Sequence, residues 1–135
     1  VISTDIKLIA PWVMEKTSCS IASDCTALGQ MLGDKLVAGI MYEHFTGYSV
    51  VATIAVEGGH AMSKEFVRAI FDYPFRQMGA EQMVAFISED NERSIRLVEK
   101  MGFREQARIP GVFPEDMIVF ILKRENCRFL ESENG

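Results

Sequence analysis

Two hydrophobic periods alternate along the chain, and the switches between them predict a mixed order of helices and strands. Lys7 to Lys16 follows the capping residues Ser3, Thr4 and Asp5 and repeats apolar side chains at Ile9, Trp12 and Val13, so it reads as a short helix despite Pro11. Asp24 to Leu32 and Lys35 to Phe45 read as strands joined by a Gly33-Asp34 turn, and Thr46-Gly47 marks a second turn. Tyr48 to Val56 is almost continuously apolar and β-branched, which predicts a central strand covered on both faces. From Ala61 to Met78, Val67, Ile70, Phe71, Pro74, Phe75 and Met78 recur at helical spacing, and Pro74 should remove one backbone bond and bend the helix.

Met83 to Ile87 reads as a short buried strand, and Ser88-Glu89-Asp90 turns the chain into a helix that opens at Asn91 and stops at Gly102. Phe103 to Ile109 and Met117 to Lys123 complete the pattern as strands on either side of a Pro110-Gly111 turn region. The order is helix, three strands, long helix, strand, helix and two strands, an α/β arrangement. No repeat or linker divides it, so residues 1–135 read as one domain, with a loosely ordered tail after Leu130.

Composition narrows the classes. With 135 residues, 48% of them hydrophobic, the chain can bury a core of ordinary size. A net charge of −5 and a pI near 5.0 lack the clustered basic surface needed to grip nucleic acid. Cys19, Cys25 and Cys127 are odd in number and show no Cys-x-x-Cys spacing, and only His44 and His60 accompany them, which argues against disulfides and against a metal site. No apolar run approaches the roughly 20 residues of a membrane span, and the start lacks a basic-then-apolar leader; a cytoplasmic protein is expected. The eight methionines and nine phenylalanines read as core filler, and Trp12 as an anchor for the first helix.

Chemistry concentrates in two places. In Asn91-Glu92-Arg93-Ser94-Ile95-Arg96-Leu97-Val98-Glu99-Lys100-Met101-Gly102-Phe103, Asn91 can cap the helix and Gly102 can end it with a positive φ. The strand, Gly58-Gly59 turn and helix across residues 48–78 can seat a pyrophosphate, because helix-terminal amides lack intrahelical partners. Asn91, Ser94, Lys100, Gly102 and Phe103 together resemble the N-x-x-S/A helix and Gly-Phe exit of the GNAT superfamily of acyl-CoA-dependent N-acetyltransferases. Gly58 to Ser63 resembles a degraded Q/R-x-x-G-x-G/A turn of that family. Tyr73-Pro74-Phe75 is similar to the Tyr-Ala-Phe of ribosomal-protein N-terminal acetyltransferases, and the ending Glu125 to Leu130 resembles small phage-encoded GNAT proteins. Asp116 with Phe120 resembles an Asp-x-x-x-Tyr pattern in which the hydroxyl is missing.

The resemblance implies a mixed, mostly antiparallel central sheet flanked by helices, and direct transfer of an acetyl group from acetyl-CoA to an amine in a cleft where the sheet splays. It implies cofactor contacts from the backbone of Ile54 and Val56, from the amides of Met62, Ser63 and Lys64, and from Asn91 and Arg96, with Arg93 and Lys100 near the nucleotide phosphates. The family's usual tyrosine acid falls in the Val98-Glu99 region, where no hydroxyl stands, leaving Ser94 as the implied acid and Glu57, His60 and then Glu43 as candidate bases. The acceptor is an amine of unspecified kind: a protein N-terminus, a lysine or a small molecule. A homodimer is compatible with the resemblance. The alternative is a GNAT-like module, catalytically weak or inactive, that binds CoA or a protein partner.

Overall fold

The computed structural model describes residues 1–17, 25–57 and 62–130. Its strands form one mixed sheet: β1 (Ile2–Ser3), β2 (Cys25–Leu32), β3 (Lys35–Glu43), β4 (Ser49–Val56), β5 (Gln82–Ser88), β6 (Arg104–Ile109) and β7 (Met117–Lys123), in the order β1-β2-β3-β4-β5-β7-β6. Every neighbouring pair is antiparallel except β4 with β5. Helix α1 (Ile6–Thr17) covers one face of the sheet, while α2 (Lys64–Asp72) and α3 (Glu92–Lys100) cover the other. Among the described residues, no helix is long and apolar enough to cross a membrane.

The expected elements are present, with three differences. Strand β1, two residues long, was not anticipated, because two residues carry no period. The strand buried along its whole interior is β3, not β4: from Leu36 to Tyr42 every residue of β3 is buried, whereas burial in β4 largely alternates. In β4, Val50, Ala52 and Ile54 enter the larger core beneath α2 and α3, while on the opposite face only Ala55 is buried in the smaller core beneath α1. The long helix begins at Lys64 with Ser63 as its cap, not at Ala61, which lies outside the described residues.

That helix also ends in an unusual way. After Asp72 it widens into a π-type turn over Tyr73–Gln77, closed by the Met78 amide donating to the Tyr73 carbonyl at 2.9 Å. Pro74 has no amide to offer the carbonyl of Ile70 four residues earlier. The Tyr42 hydroxyl, from β3, donates to that carbonyl instead, at 2.6 Å. A buried acceptor is thereby satisfied from the neighbouring layer, and burial holds the Tyr42 phenol well above its usual pKa, with Tyr73 adding to the effect.

Helix α1 lies close to the sheet because two cross-strand glycines beneath it carry no side chains. Gly29 and Gly39 are partners across β2 and β3. A Cβ on Gly39 would come within 2.9 Å of Val13 and 3.1 Å of Ile9, and one on Gly29 within 2.7 Å of Leu36 and 3.0 Å of Ile9. This close seat fixes where the last turn of α1 emerges. The loosely ordered tail expected after Leu130 lies outside the described residues. Just before it, Phe129 stacks on Phe71 at 4.8 Å between ring centroids, and Arg128 donates to the carbonyl of Lys100 at the end of α3.

Candidate active site

The site originates in a short parallel pairing. Strands β4 and β5 are registered only from Ser49 to Val51 against Gln82 to Val84, and then each follows its own antiparallel neighbour. A slot opens between them. The Glu57 amide, just past β4, donates to Val37 on β3 at 2.8 Å. In an antiparallel pair the residues that exchange bonds alternate, so Ala55 and Thr53 also face β3 while Val56, Ile54 and Ala52 point their amides and carbonyls at the slot. Among the described residues, no strand pairs with that edge of β4 beyond Val51.

The slot comprises two adjoining cavities. The first, about 660 Å³, is lined by Ile54, Ala55 and Val56 of β4, by Met62, by Glu15, Lys16 and Thr17 at the end of α1, and by Asn91, Arg93, Ser94, Arg96, Leu97 and Lys100 on α3. Among the described residues of this lining, Lys16, Arg93, Arg96 and Lys100 outnumber one carboxylate, Glu15, so this half is basic in a chain of net charge −5. The second, about 490 Å³, brings Asp90 and Glu115 together with Phe86, Phe113 and Pro114, and its only cation among the described residues is Lys16. Lys16, Thr17, Ile54, Asn91 and Ser94 line both.

Helix α3 is shaped by the signals read in its sequence. The Asn91 carbonyl oxygen accepts from the Ser94 amide at 3.2 Å, which uses the oxygen for capping and leaves the side-chain NH2 as a donor at the slot. At the other end, Gly102 has φ +102°; its amide donates to Glu99 and the Phe103 amide to Val98, both at 3.0 Å. Those two bonds satisfy carbonyls that the helix cannot satisfy itself. Arg93, Arg96 and Lys100, spaced by three and four residues, share one face. Val98 is 1% exposed and also lines the second cavity, so its position borders the slot but offers no hydroxyl there.

A family model for the acetyltransferase (GNAT) domain matches residues 32–104, just over half of the chain. The chain belongs to the GNAT family. Probable N-acetyltransferase YjcK of Bacillus subtilis (strain 168) is 26% identical over 111 residues, covering 78% of this chain, which spans 60% of that protein's length. Among solved structures, yncA from Salmonella typhimurium with its cofactor acetyl-CoA aligns at a TM-score of 0.59 and 23% identity, covering 73% of this chain and 64% of that one. The spermidine N-acetyltransferase of Vibrio cholerae in complex with CoA and spermine aligns at 0.66 and 13% identity, covering 80% and 69%. Both structural likenesses establish the fold.

The residues expected from the GNAT resemblance do not all meet at the slot. Ile54, Val56, Met62, Asn91, Ser94 and Arg96 line the slot together, joined by Arg93 and Lys100. Ser63 and Lys64 lie at the start of α2 and outside the cavity lining. The Ser63 hydroxyl caps that helix by accepting from Phe66 at 3.0 Å, and its amide already donates to the side-chain oxygen of Gln30 at 2.8 Å. The amides of Lys64 and Glu65 are the first-turn donors without an intrahelical partner.

Of the candidate bases, Glu57 sits just off the slot with its carboxylate 2.8 Å from the Lys16 ammonium. Glu43 does not flank the slot: it pairs with Val51 at the closed end, where β4 and β5 still meet. His60, with the Gly58-Gly59 turn and Ala61, lies outside the described residues, as does Cys19. Phe120, in the position of the missing hydroxyl, is buried core.

Sequence reading missed Lys16, Thr17 and Glu15 of α1, and Asp90, Phe113, Pro114 and Glu115 of the second cavity. A hint lay in the basic last turn of a helix already expected to end at Lys16. Among the described residues no group of three metal-ligating side chains converges.

Proposed function

We propose that the protein is an acyl-CoA N-acyltransferase that binds acetyl-CoA in the basic half of the slot and an amine in the acidic half. The observation that carries this reading is the slot's polarity. Among the described residues, three α3 cations line one half beside a strand edge with unpartnered peptide groups, and two carboxylates line the other. A pantetheine arm is an amide-bearing chain, so it suits Ile54 and Val56 as an added strand would, and the Asn91 NH2 group can hold one of its carbonyls. Arg93, Arg96 and Lys100 offer charge-assisted hydrogen bonds to the nucleotide phosphates, and the amides of Met62 and Lys64 can add to them. The Ser63 amide would serve only after release from Gln30.

The chemistry asks little of covalent catalysis. The amine attacks the thioester carbonyl directly, and holding both partners in line supplies much of the rate. A slot-facing β4 amide from Ile54 or Val56 polarises the carbonyl. Ser94, common to both halves, donates its hydroxyl proton to the departing sulfur and regains one from solvent. Glu57 is absent from both linings and its carboxylate pairs with Lys16, so Asp90 and Glu115, which line the slot, are the better-placed carboxylates to receive an ammonium and take its proton. The acceptor is therefore a cationic amine with an apolar portion that fits Phe86 and Phe113. Such a description covers the polyamine named for the Vibrio cholerae relative as well as basic peptide amines.

The test separates binding from turnover. Isothermal titration with acetyl-CoA and desulfo-CoA, followed by thiol release on an amine panel, should give micromolar binding and release with cationic amines. Absence of binding contradicts the proposal; binding without release on any amine identifies a CoA-binding module instead.

A further inference from the structure

The two halves of the slot meet at five described residues: Lys16, Thr17, Ile54, Asn91 and Ser94. Whatever passes from one half to the other passes here. Among the five, Lys16 carries the only formal charge. Its ammonium is held from two directions, by the Glu57 carboxylate at 2.8 Å and by the Trp12 ring, whose centroid lies 5.0 Å away. The side chain is one-third exposed, so it is neither sealed in the core nor loose in solvent. The helix that carries it is seated on Gly29 and Gly39, which sets how far its last turn reaches.

We propose that Lys16 stabilises the negative charge on the CoA sulfur as it departs, with Glu57 and Trp12 as the residues that position it. The inference rests on the acyl-transfer reading and adds a charge to it. As the C–N bond forms and the C–S bond breaks, the bonding pair leaves on sulfur, and the amine loses one proton while the sulfur finally gains one. A fixed cation at that point lowers the energy of the thiolate without reorganising. Glu57, a candidate base in the sequence, thereby acts through Lys16. The other charges around the sulfur site are Glu15, Arg93, Arg96 and Lys100 in the basic half and Asp90 and Glu115 in the acidic half.

CoA itself reports on this without any acceptor. The thiolate absorbance of CoA bound to the wild-type protein, titrated against pH with the desulfo-CoA complex as blank, should place the thiol about one unit or more below that of free CoA titrated alongside. Lys16→Met should return it to the free value while desulfo-CoA affinity changes less than about threefold, and Lys16→Arg should restore most of the shift. Glu57→Gln should leave a smaller shift than wild type. A thiol unshifted in wild type, or equally shifted in Lys16→Met, overturns the role of Lys16. Failure of wild type to bind desulfo-CoA instead removes the acyl-transfer reading, and this inference with it.

Discussion

The basic half of the slot takes most of its lining from β4 and α3, inside the span that the GNAT model matches, whereas the acidic half adds the loop residues Phe113, Pro114 and Glu115 from beyond that span. Lys16 and Thr17 at the end of α1, also outside it, complete both. The basic half is a local construction: a capped helix with cations on one face beside one strand edge. The acidic half is assembled from segments far apart in sequence. A family can hold the first constant and vary the second, since the donor is common and the acceptor is where function differs. The polarity of the slot makes the comparison measurable.

The largest effect is expected from reversing charge in the basic half. Arg93→Glu with Arg96→Glu should weaken acetyl-CoA binding by about 100-fold, roughly 2.7 kcal/mol, by calorimetry at low salt, and the loss should shrink as salt screens it. The KM for a cationic amine should change little. In the acidic half, Asp90→Asn with Glu115→Gln should raise that KM about tenfold and leave acetyl-CoA affinity unaltered. If either pair moves both constants together, the division of the slot is wrong.

A smaller effect separates the two uses of Asn91. Asn91→Asp keeps a capping oxygen but exchanges the NH2 donor for an acceptor, so CoA binding should fall several-fold with little change in melting temperature. Asn91→Ala should also cost about 1 kcal/mol of stability through loss of the cap. Loss of stability in Asn91→Ala alone, with CoA binding unchanged in both variants, would make Asn91 a cap alone.

The strands of the basic half, and its helix, were legible because their signals are local. Asn91, Gly102 and the spacing of Arg93, Arg96 and Lys100 act within a dozen residues, and each does in the structure what its chemistry suggests. The strand Tyr48 to Val56 was read as covered on both faces because an apolar run does not say what lies over each side. Its far edge and α1 face border a slot, and burial there is incomplete. Lys16 was invisible as a site residue for a different reason. Its place depends on the Gly29–Gly39 register across β2 and β3 and on how closely α1 approaches, which no short window encodes. The same holds for Asp90, whose carboxylate is held by the Ser88 hydroxyl at 2.6 Å, and for Glu115 in a region read only as a turn.

The smallest functional effect belongs to Tyr42, buried in the core outside both halves. Tyr42→Phe leaves the Ile70 carbonyl without its donor and should cost about 1–2 kcal/mol by chemical denaturation, with neither acetyl-CoA affinity nor amine KM altered. The folded pKa of this phenol is raised, so its contribution is fully present below the ionisation of an unfolded tyrosine at about pH 10 and declines above it. Wild-type stability should therefore fall more steeply than that of Tyr42→Phe above about pH 10.

A divided acyl-transfer site requires the basic half of the slot to bind CoA. Calorimetric titration of the wild-type protein and the Arg93→Glu, Arg96→Glu double variant with desulfo-CoA, at low and high salt, measures that binding without any acceptor. Wild type should show one site of micromolar affinity, weakened by salt and nearly abolished in the variant; no binding by wild type, or equal binding by the two proteins, would rule the divided site out.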